Sequence, residues 1–386
     1  MLVMTDVTPV YGPWTGIAYY TDAIARRLNA EADGDTCVFV HEGLVSSSYS
    51  PPGPAGSGRS RTMVARVLSG VTAVSMAARS VRDRRWAHRV RSVLGSHVPD
   101  VYFEPNIVLH GYAARKRVVT VHDLSFVHHP EWFPARAAYL RTSVKQTVRL
   151  ADLVLTGSVA IKAEIVESFG VSEDRIRVIR HGVDHELFHP VVSAEEAPLG
   201  LEALENSGCV LSVCSLDPRK NLLTLLDAFA LLPPELRKAH PLVLAGLPGW
   251  RSQEVTSRVA ALKGDASYLG YIRRSELAWL YRQSSLLVYP SLYEGFGLPP
   301  LEALSSGTPA LVSNIPVFHE LFDGVAAFAD VARPESLSLK MGEMLADRGR
   351  LDRMRAEGPR LAAGFSWDRS AHEHMACFRD VSGAVS

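Results

Sequence analysis

The chain has 386 residues, of which 47% are hydrophobic and 21% are charged, and its 41 basic residues balance its 41 acidic residues. This length and composition predict a globular protein of two domains, and the zero net charge gives no global argument for nucleic-acid binding. No run approaches the ~18 apolar residues that cross a bilayer, so we expect neither a membrane-spanning segment nor a secretion signal. Four cysteines without a CxxC pair favour reduced thiols in a cytoplasmic protein.

The first part of the chain alternates strand-like and helix-like segments. Residues 2–7 predict a strand, a turn follows at residues 11–16, residues 17–28 predict a helix, and a second strand begins at Cys37. Open parallel sheets bind ligands at the carboxyl ends of their strands, so this turn is expected to bring the backbone of Gly16 close to a phosphate. Alternatively, Gly16 serves only the turn itself.

A Ser/Pro/Gly-rich stretch at residues 46–61 predicts a mobile loop, and a basic, partly amphipathic helical segment follows it. One acid, Asp83, lies among nine arginines there. Such a face can either lie on an anionic membrane surface or remain solvated, and both interpretations stay open. The arginines are Arg59, Arg61, Arg66, Arg79, Arg82, Arg84, Arg85, Arg89 and Arg91.

Two further strand predictions, at residues 101–103 and 117–121, lead to a polar site candidate. The second strand ends at His122 and Asp123, at the strand tip where α/β proteins place functional side chains. His122 is therefore a candidate active-site residue, or alternatively a residue that caps the following turn. Helices at 135–150 and 160–169 and strands at 153–156 and from residue 176 complete this half.

The strand and helix pattern stops from Asp184 to Ser207, which predicts an interdomain linker. A second β-α-β series begins at Gly208. Arg219 and Lys220 lie in its first strand-to-helix turn and suit a pyrophosphate, the arginine as a planar fork and the lysine as a point charge.

The stretch from Ser291 to Pro309 has the strongest local pattern. An apolar strand precedes it, a Gly-Phe-Gly turn carries Glu294, and a helix with prolines in its first turn carries Glu302. Free N–H groups at such a helix start face an incoming anion. The two carboxylates could act as acid and base, bind a ligand or complement the helix dipole. The sequence has no G-x-G-x-x-G fingerprint, P-loop, D-x-D cluster, H-E-x-x-H or CxxC, so no metal site is predicted.

Nine motifs in order cover nearly the whole chain: TGIAYYT, EPN, VHDLSFVHHPEWFP, HGVD, SLDPRKNLLTLLDAF, LAGLPGW, LGYI, SLYEGFGLPPLEALSSGTP and FSWDRSA. Together they resemble the retaining glycosyltransferases of the GT-B fold, specifically family four and its bacterial mannosyltransferase and rhamnosyltransferase branch. The resemblance implies an α/β protein with two doubly wound Rossmann-like domains that face a central cleft. It implies an acceptor-binding domain at 1–183, a linker at 184–207, a donor-binding domain at 208–365 and a C-terminal helix at 366–386 that crosses back to the first domain.

The resemblance also implies roles for individual residues. Arg219 and Lys220 would hold the donor diphosphate, Glu302 the ribose hydroxyls, and Glu294 the donor sugar. The Thr15–Gly16 pair departs from the Gly-Gly of many family members. The catalytic candidates are His122, Asp123 and Glu294, and the donor-binding candidates are Gly16, Arg219, Lys220, Tyr271, Ile272, Gly295, Phe296, Gly297, Leu298 and Glu302.

The implied reaction transfers a hexose, specifically mannose from GDP-mannose, with retention to a glycan or lipid-linked glycan. The nucleotide sugar is a co-substrate, and no cofactor or metal is implied. The cysteines favour a cytoplasmic location, and the Arg59–Arg91 segment is compatible with peripheral contact to the inner face of the membrane, beside the alternative of a solvated face. Two other interpretations stay open: a retaining phosphorylase or nucleotide-sugar epimerase of the same fold, and a non-catalytic nucleotide-sugar-binding protein.

Overall fold

The computed structural model describes residues 1–12, 14–31, 34–51, 72–134, 136–191, 197–198, 201–204 and 208–383. It divides into two compact units. Met1–Gly182 and the segment from Trp367 onward form the first unit, and Val183–Ser366 forms the second. All four cysteines are free thiols. No helix in the described ranges combines the length and apolar character needed to span a bilayer.

The first unit is built on one sheet with helices on both sides. Its strands are β1 (Leu2–Asp6), β2 (Thr36–His41), β3 (Leu44–Ser46), β4 (Val101–Glu104), β5 (Lys116–Thr120), β6 (Leu153–Thr156) and β7 (Ile176–Val178). They are ordered β3-β2-β1-β4-β5-β6-β7, and only the β2–β3 pair is antiparallel. Its helices are α1 (Gly16–Leu28), α2 (Thr72–Leu94), α3 (Ser125–His128), α4 (Ala137–Leu150) and α5 (Val159–Phe169), with 3-10 turns at Thr8–Tyr11, Pro130–Trp132 and Glu173–Arg175.

The second unit repeats this architecture with a fully parallel sheet. Its strands are β8 (Val210–Val213), β9 (Leu242–Ala245), β10 (Ala266–Tyr268), β11 (Leu286–Tyr289), β12 (Ala310–Ser313) and β13 (Ala327–Ala329), in the order β10-β9-β8-β11-β12-β13. Its helices are α6 (Leu222–Ala230), α7 (Pro234–Ala239), α8 (Ser252–Ala261), α9 (Arg274–Gln283), α10 (Leu298–Ser305), α11 (Pro316–Phe322), α12 (Pro334–Ala346) and α13 (Arg348–Ala362), with 3-10 turns at Glu202–Leu204 and Pro218–Lys220. The C-terminal helix α14 (Trp367–Ser382) returns to the first unit, where it packs on α1.

Each sheet reverses its strand order at one point, which makes both units doubly wound and Rossmann-like. The reversal lies between β1 and β4 in the first unit and between β8 and β11 in the second. Strands β4 and β11 are buried at every position, as expected for parallel strands that are covered on both faces. Ligands of such sheets bind outside the carboxyl ends of the strands at this reversal. The loops after β1, β4, β8 and β11 are therefore the positions where sites are expected.

The start of α10 depends on a glycine. Gly297 has a φ of 108°, a conformation that side chains rarely adopt, and Pro299 follows in the first helical turn as predicted. A Cβ atom at Gly297 would lie 2.7 Å from Cε1 of Phe318. Phe318 is fully buried and packs against Phe322, so it has little room to move.

Gly297→Ala is therefore expected to lower the free energy of unfolding by about 2–4 kcal/mol, because a left-handed backbone and an overpacked core both add to the cost. Gly324→Ala is the matched control, since Gly324 has a φ of 79° but no atom within 4 Å of a Cβ. The control is expected to cost about 1 kcal/mol. Urea unfolding of both variants measures the difference, and equal costs would show that the contact with Phe318 is unimportant.

Several elements differ from the sequence predictions. The strand expected at residues 268–272 ends at Tyr268, because Gly270 adopts a φ of 71°. Strand β3 was not predicted. It pairs with β2 through a turn in which Glu42 and Gly43 both have positive φ. The predicted irregular loop at 128–134 contains the end of α3 and a 3-10 turn.

The segment predicted as a linker belongs to the second unit. Phe188 is fully buried and lies edge-on to Tyr281, with ring centroids 5.8 Å apart. Its carbonyl accepts a 2.6 Å hydrogen bond from Oγ of Ser305. The first residues after Asp184 therefore pack into the core of the second unit, because an aromatic side chain gains by burial even where no helix or strand pattern is present.

The basic segment is described only in part. Residues 52–71, with Arg59, Arg61 and Arg66, lie outside the described ranges. Within α2, Asp83 pairs with Arg79 at 3.3 Å and with Arg82 at 3.5 Å. The guanidinium of Arg82 also lies 4.7 Å from the ring of Trp86. Part of the arginine-rich face therefore serves the packing of the first unit.

Candidate active site

In the second unit, the loops after β8 and β11 bring two cations onto one carboxylate. Nη1 of Arg219 donates to Oε2 of Glu294 at 3.1 Å and to the carbonyl of Tyr293 at 3.2 Å. Nζ of Lys220 contacts Oε1 of Glu294 and donates to the hydroxyl of Tyr289 at 2.8 Å. The hydroxyl of Tyr289 in turn donates to Oε1 of Glu294 at 3.1 Å. Arg219, Lys220 and Glu294, which the sequence analysis had singled out, thus form one cluster at the strand reversal.

The electrostatics of this cluster fix the charge of Glu294. Burial by itself would raise the pKa of this carboxyl, but Lys220 and Arg219 outweigh burial and lower its pKa to about 2. Burial and the neighbouring Arg219 lower the pKa of Lys220, and Glu294 opposes that shift. Glu294 is consequently an anion at neutral pH, and it holds two adjacent cations in place.

Glu302 lies in a separate ion pair on α10. Nη1 of Arg274 donates to its Oε1 at 3.0 Å, and the hydroxyl of Tyr281 donates to its Oε2 at 3.4 Å. Burial raises the pKa of Glu302, and Arg274 opposes this shift. Arg274 also lies 4.7 Å from the ring of Phe188. The two carboxylates of the predicted motif therefore have different partners and different electrostatic environments.

The turn between β11 and α10 completes the predicted motif. Gly295, Phe296 and Gly297 are buried, and Leu298, the first residue of α10, is half-buried. The ring of Phe296 lies edge-on to Phe365 at 6.0 Å. The turn is therefore supported by a packed side chain, and it separates Glu294 from the first N–H groups of α10, which begins at Leu298.

Tyr271 and Ile272 follow the carboxyl end of β10, the edge strand of the same sheet. Tyr271 is 40% exposed and Ile272 is half-buried. An exposed aromatic ring and an aliphatic side chain at the carboxyl edge of a parallel sheet are suitable for stacking on a planar base.

In the first unit, His122 lies at the end of β5 with a fixed ring orientation. Its Nε2–H donates to the carbonyl of Pro105 at 2.8 Å, because a carbonyl can only accept. Burial lowers the pKa of His122, so the ring is neutral at neutral pH and Nδ1 carries the lone pair. The ring also lies edge-on to Tyr20 at 4.8 Å and to His181 at 5.6 Å.

The C-terminal helix supports this aromatic cluster. The hydroxyl of Tyr20 donates to Nε2 of His374 at 2.7 Å, since Nδ1 of His374 donates to the carbonyl of Ser370. Burial lowers the pKa of His374 to about 4, which keeps its ring neutral. Trp367 stacks on His181 at 5.9 Å, so α14 packs against the residues that surround His122.

Asp123 and Gly16 have local contacts. Oδ1 of Asp123 accepts from the N–H of Ser125 at 3.0 Å and from its hydroxyl at 2.6 Å, so this carboxylate organises the start of α3. Gly16 is the exposed first residue of α1 after Thr15. Gly16 is not among the positive-φ glycines. The turn conformation therefore does not require a glycine there, and the absence of a side chain is the property that matters for a close approach.

A cavity of about 880 Å³ lies in the first unit, between α2 and the end of α4. None of the predicted site residues lines it. Its lining is rich in basic and imidazole side chains: Arg79, Arg84, His88, Arg91, His97, His110 and Arg117.

The sequence reasoning missed Tyr289 and Arg274, which contact Glu294 and Glu302. Tyr289 is the last residue of β11, and a tyrosine at a strand tip is a weak signal. Arg274 stands beside another arginine at the start of a helix. Two adjacent cations next to a helix start are the same signal that identified Arg219 and Lys220, so this pattern could have revealed Arg274.

Two family models match the chain. The model described as glycosyl transferases group 1 matches residues 195–361, and the model described as Glycosyltransferase Family 4 matches residues 14–187. The chain is 29% identical over 389 residues to O-antigen chain mannosyltransferase B of Escherichia coli, and the alignment covers 98% of this chain and 100% of that protein. It is 30% identical over 223 residues to O-antigen chain mannosyltransferase RfbU of Salmonella typhimurium, which covers 56% of this chain and 57% of that protein.

A solved structure of sucrose-phosphate synthase from Thermosynechococcus elongatus superposes with a TM-score of 0.74 at 17% identity, over 100% of both chains. Together with the two Rossmann-like domains, this likeness places the protein in the GT-B fold class, and the matching models make it a glycosyltransferase. The chain belongs to the group 1 and family 4 glycosyltransferases, because the two models together match all but short segments of it. The predicted fold class, family and enzyme class are confirmed.

Proposed function

We propose that the protein is a retaining mannosyltransferase that transfers mannose from GDP-mannose to a glycan or lipid-linked glycan. The observation that carries this proposal is the cluster of half-buried Arg219 with buried Lys220 and Glu294, in a chain that is similar along its whole length to an O-antigen chain mannosyltransferase. The phosphorylase, epimerase and sensor alternatives have no comparable support among these relatives.

Departure of the nucleoside diphosphate is the step that needs the most charge stabilisation. Negative charge develops on the leaving phosphate, and fixed cations and helix-terminal N–H groups stabilise it without reorganisation. Arg219, Lys220 and the first turn of α10 supply both. The donor diphosphate therefore binds without a metal ion, and the affinity for GDP is expected to be the same with EDTA as with added Mg²⁺.

Glu294 acts as an acceptor for hydroxyls of the donor sugar and as the counter-ion of the two cations. Its low pKa keeps it ionised, so it accepts hydrogen bonds and does not donate a proton. A retaining transfer builds positive charge at the anomeric carbon, which a nearby carboxylate stabilises. We assign Glu294 no covalent role, and transfer proceeds by attack from the face that the diphosphate leaves.

The remaining donor contacts follow from position. Glu302 accepts from the ribose hydroxyls, and Arg274 lowers the pKa of that carboxyl against the effect of burial. Tyr271 and Ile272 flank the guanine. Gly295 to Leu298 bring their backbone N–H groups to the sugar and phosphate, a role for which buried glycines without side chains are suited.

The first unit supplies the groups on the acceptor side. With Nε2–H held by Pro105, Nδ1 of His122 accepts a hydrogen bond from a hydroxyl of the transferred sugar. Asp123 keeps the loop that carries His122 in place through Ser125. Gly16 leaves space for the backbone of α1 to approach a phosphate.

A lipid-linked acceptor explains the basic character of the first unit. The cavity beside α2 has three arginines without carboxylate partners among the described residues, Arg84, Arg91 and Arg117, and these suit a phosphate-bearing acceptor. The protein then works at the cytoplasmic face of the membrane, which it contacts peripherally through α2.

This contact predicts binding to vesicles that contain anionic lipid and weak binding to neutral ones. The triple variant Arg82→Gln, Arg84→Gln and Arg85→Gln is expected to lose most of the flotation with anionic vesicles. Replacement of three exposed arginines of the second unit, Arg251, Arg273 and Arg333, is the matched control. Equal flotation of the two triple variants would remove the membrane contact from the proposal.

The donor is tested by calorimetric titration of the protein with GDP-mannose, UDP-glucose, dTDP-glucose and ADP-glucose. GDP-mannose is expected to bind at least about tenfold more tightly than the others, a difference of about 1.4 kcal/mol. Glu302→Ala is expected to weaken the three ribonucleotide donors most and dTDP-glucose least, because dTDP carries 2′-deoxyribose with one hydroxyl fewer. Tighter binding of UDP-glucose would overturn the donor assignment and leave the glycosyltransferase class intact.

A further inference from the structure

Three potential metal ligands meet at the strand reversal of the first unit. Asp6 ends β1, Glu104 ends the neighbouring β4, and His110 follows in the loop after β4. One side-chain donor atom from each lies within 4.8 Å of the other two. Asp6 is fully buried, and Glu104 is 2% exposed. No sequence motif points to this cluster, because its three residues are far apart in the chain and match no metal-binding pattern.

The imidazole of His110 lies between two carboxylates. Nδ1 lies 3.3 Å from Oδ1 of Asp83, and Nε2 lies 3.8 Å from Oε2 of Glu104. Asp83 is itself held by Arg79 and is placed to accept the Nδ1–H, and in that neutral tautomer the lone pair of Nε2 faces Glu104. A carboxylate on the far nitrogen of a ligating histidine is the usual support of a metal site.

The two buried carboxylates of this cluster are only partly hydrogen-bonded among the described residues. Oδ1 of Asp6 accepts from the N–H of Thr8 at 2.7 Å, but Oδ2 of Asp6 is buried without a hydrogen-bond partner among the described residues. Glu104 accepts from the hydroxyl of Tyr102 at 2.8 Å and from the N–H of Asn106. A buried carboxylate oxygen without a partner, a second buried carboxylate and an imidazole nitrogen thus lie together, and a shared cation would satisfy all three.

We propose that Asp6, Glu104 and His110 bind one divalent transition-metal ion of the Zn²⁺ or Mn²⁺ kind. Two oxygens and one imidazole nitrogen suit these ions better than Mg²⁺ or Ca²⁺, which prefer oxygen ligands alone. Bonds of about 2.0–2.2 Å place the donors of such an ion about 3–4 Å apart, so the 3.8 Å separation of His110 and Glu104 fits.

This ion has a positioning role that is separate from the donor diphosphate, whose proposed ligands lie in the second unit. Glu104 immediately precedes Pro105, whose carbonyl accepts from His122. A metal on Glu104 therefore fixes the loop that sets the ring orientation of His122. The inference does not depend on the proposed donor or acceptor.

The test is the metal content and metal affinity of the purified full chain. After dialysis against chelator and back-titration, the wild type is expected to bind one equivalent of Zn²⁺ or Mn²⁺, and Co²⁺ is expected to give visible absorption bands of a low-coordinate site. Glu104→Gln and His110→Gln are each expected to weaken binding at least a hundredfold. Asp83→Asn is expected to weaken it about 10–100-fold through the loss of support for His110.

His319→Gln is the matched control, since it removes an exposed imidazole of the second unit. It is expected to leave the stoichiometry and affinity unchanged. The inference is overturned if the wild type binds no stoichiometric ion, or if Glu104→Gln binds as tightly as the wild type. A third result would also overturn it: no Co²⁺ absorption bands in the wild type, together with a higher thermal stability of Glu104→Gln in chelator. In that case the two carboxylates share a proton instead of a metal ion. GDP binding by these variants is expected to be normal, which separates this outcome from failure of the proposed function.

Discussion

Lys220→Met is expected to lower kcat at least about a hundredfold, with a change in the donor KM of less than about threefold. Lys220 is buried beside Glu294 and Arg219 at the end of the loop after β8, where the proposed donor diphosphate would gain its charge. A cation that acts on developing charge lowers the barrier more than it tightens the ground state. Methionine keeps the length and apolar contacts of the side chain and removes only the charge.

The Lys220→Met variant also leaves Glu294 with one cation instead of two, which could destabilise the fold. A second variant therefore separates an effect on catalysis from an effect on folding. Lys220→Met combined with Glu294→Gln removes both charges and is expected to fold well but to stay at least a hundredfold slow. Lys238→Met, on the exposed face of α7, is expected to keep the wild-type rate. Initial rates of GDP release with a synthetic mannoside acceptor provide the measurement. A Lys220→Met enzyme with wild-type kcat and a raised KM would show that Lys220 only binds the donor.

Glu294→Ala is expected to destabilise the second unit by about 3–5 kcal/mol at pH 7, because it leaves buried Lys220 beside Arg219 without their shared anion. The loss is expected to appear in the midpoint of urea unfolding. Glu357→Ala, which removes an exposed acid of α13, is the control and is expected to change stability by less than about 0.5 kcal/mol. Equal effects would show that the ion cluster contributes nothing to the fold.

The pH dependence follows from the same carboxylate. Its pKa falls from 4.5 in the unfolded chain to about 2 in the folded protein, so pairing stabilises the fold by about 3 kcal/mol at neutral pH. This contribution is fully present above pH ~4.5 and is lost as the pH falls through 2, with about half gone by pH 3. The difference in unfolding free energy between wild type and Glu294→Gln should shrink accordingly. A difference that stays constant from pH 6 to pH 3 would contradict the low pKa.

Strand and helix order could be predicted because the chain repeats a strong local pattern. Strands such as β4 and β11 are continuous apolar runs, and glycines or prolines mark the ends of the elements around α10. The predictions failed where backbone conformation was decided by single residues, as at Gly270, which ends β10 early. The burial of Phe188 likewise depends on a tertiary partner, Tyr281, that local sequence does not reveal.

The candidate site was predictable where its residues are neighbours in the chain. Glu294 and Glu302 stand in one motif, and Arg219 and Lys220 are adjacent. That the two cations contact Glu294 directly, while Glu302 pairs with Arg274, depends on which strands are neighbours in the sheet and is visible only in the fold. The cluster of Asp6, Glu104 and His110 was out of reach of sequence reasoning for the same reason.

The most direct test of the central claim is the product of a single transfer reaction. The protein is incubated with GDP-mannose and a synthetic mannose-terminated acceptor, and the new glycosidic bond is assigned by NMR. We expect acceptor-dependent release of GDP and a product with the anomeric configuration of the donor. A product of inverted configuration would contradict the proposed function. So would a parallel reaction in which UDP-glucose is consumed while GDP-mannose is left intact.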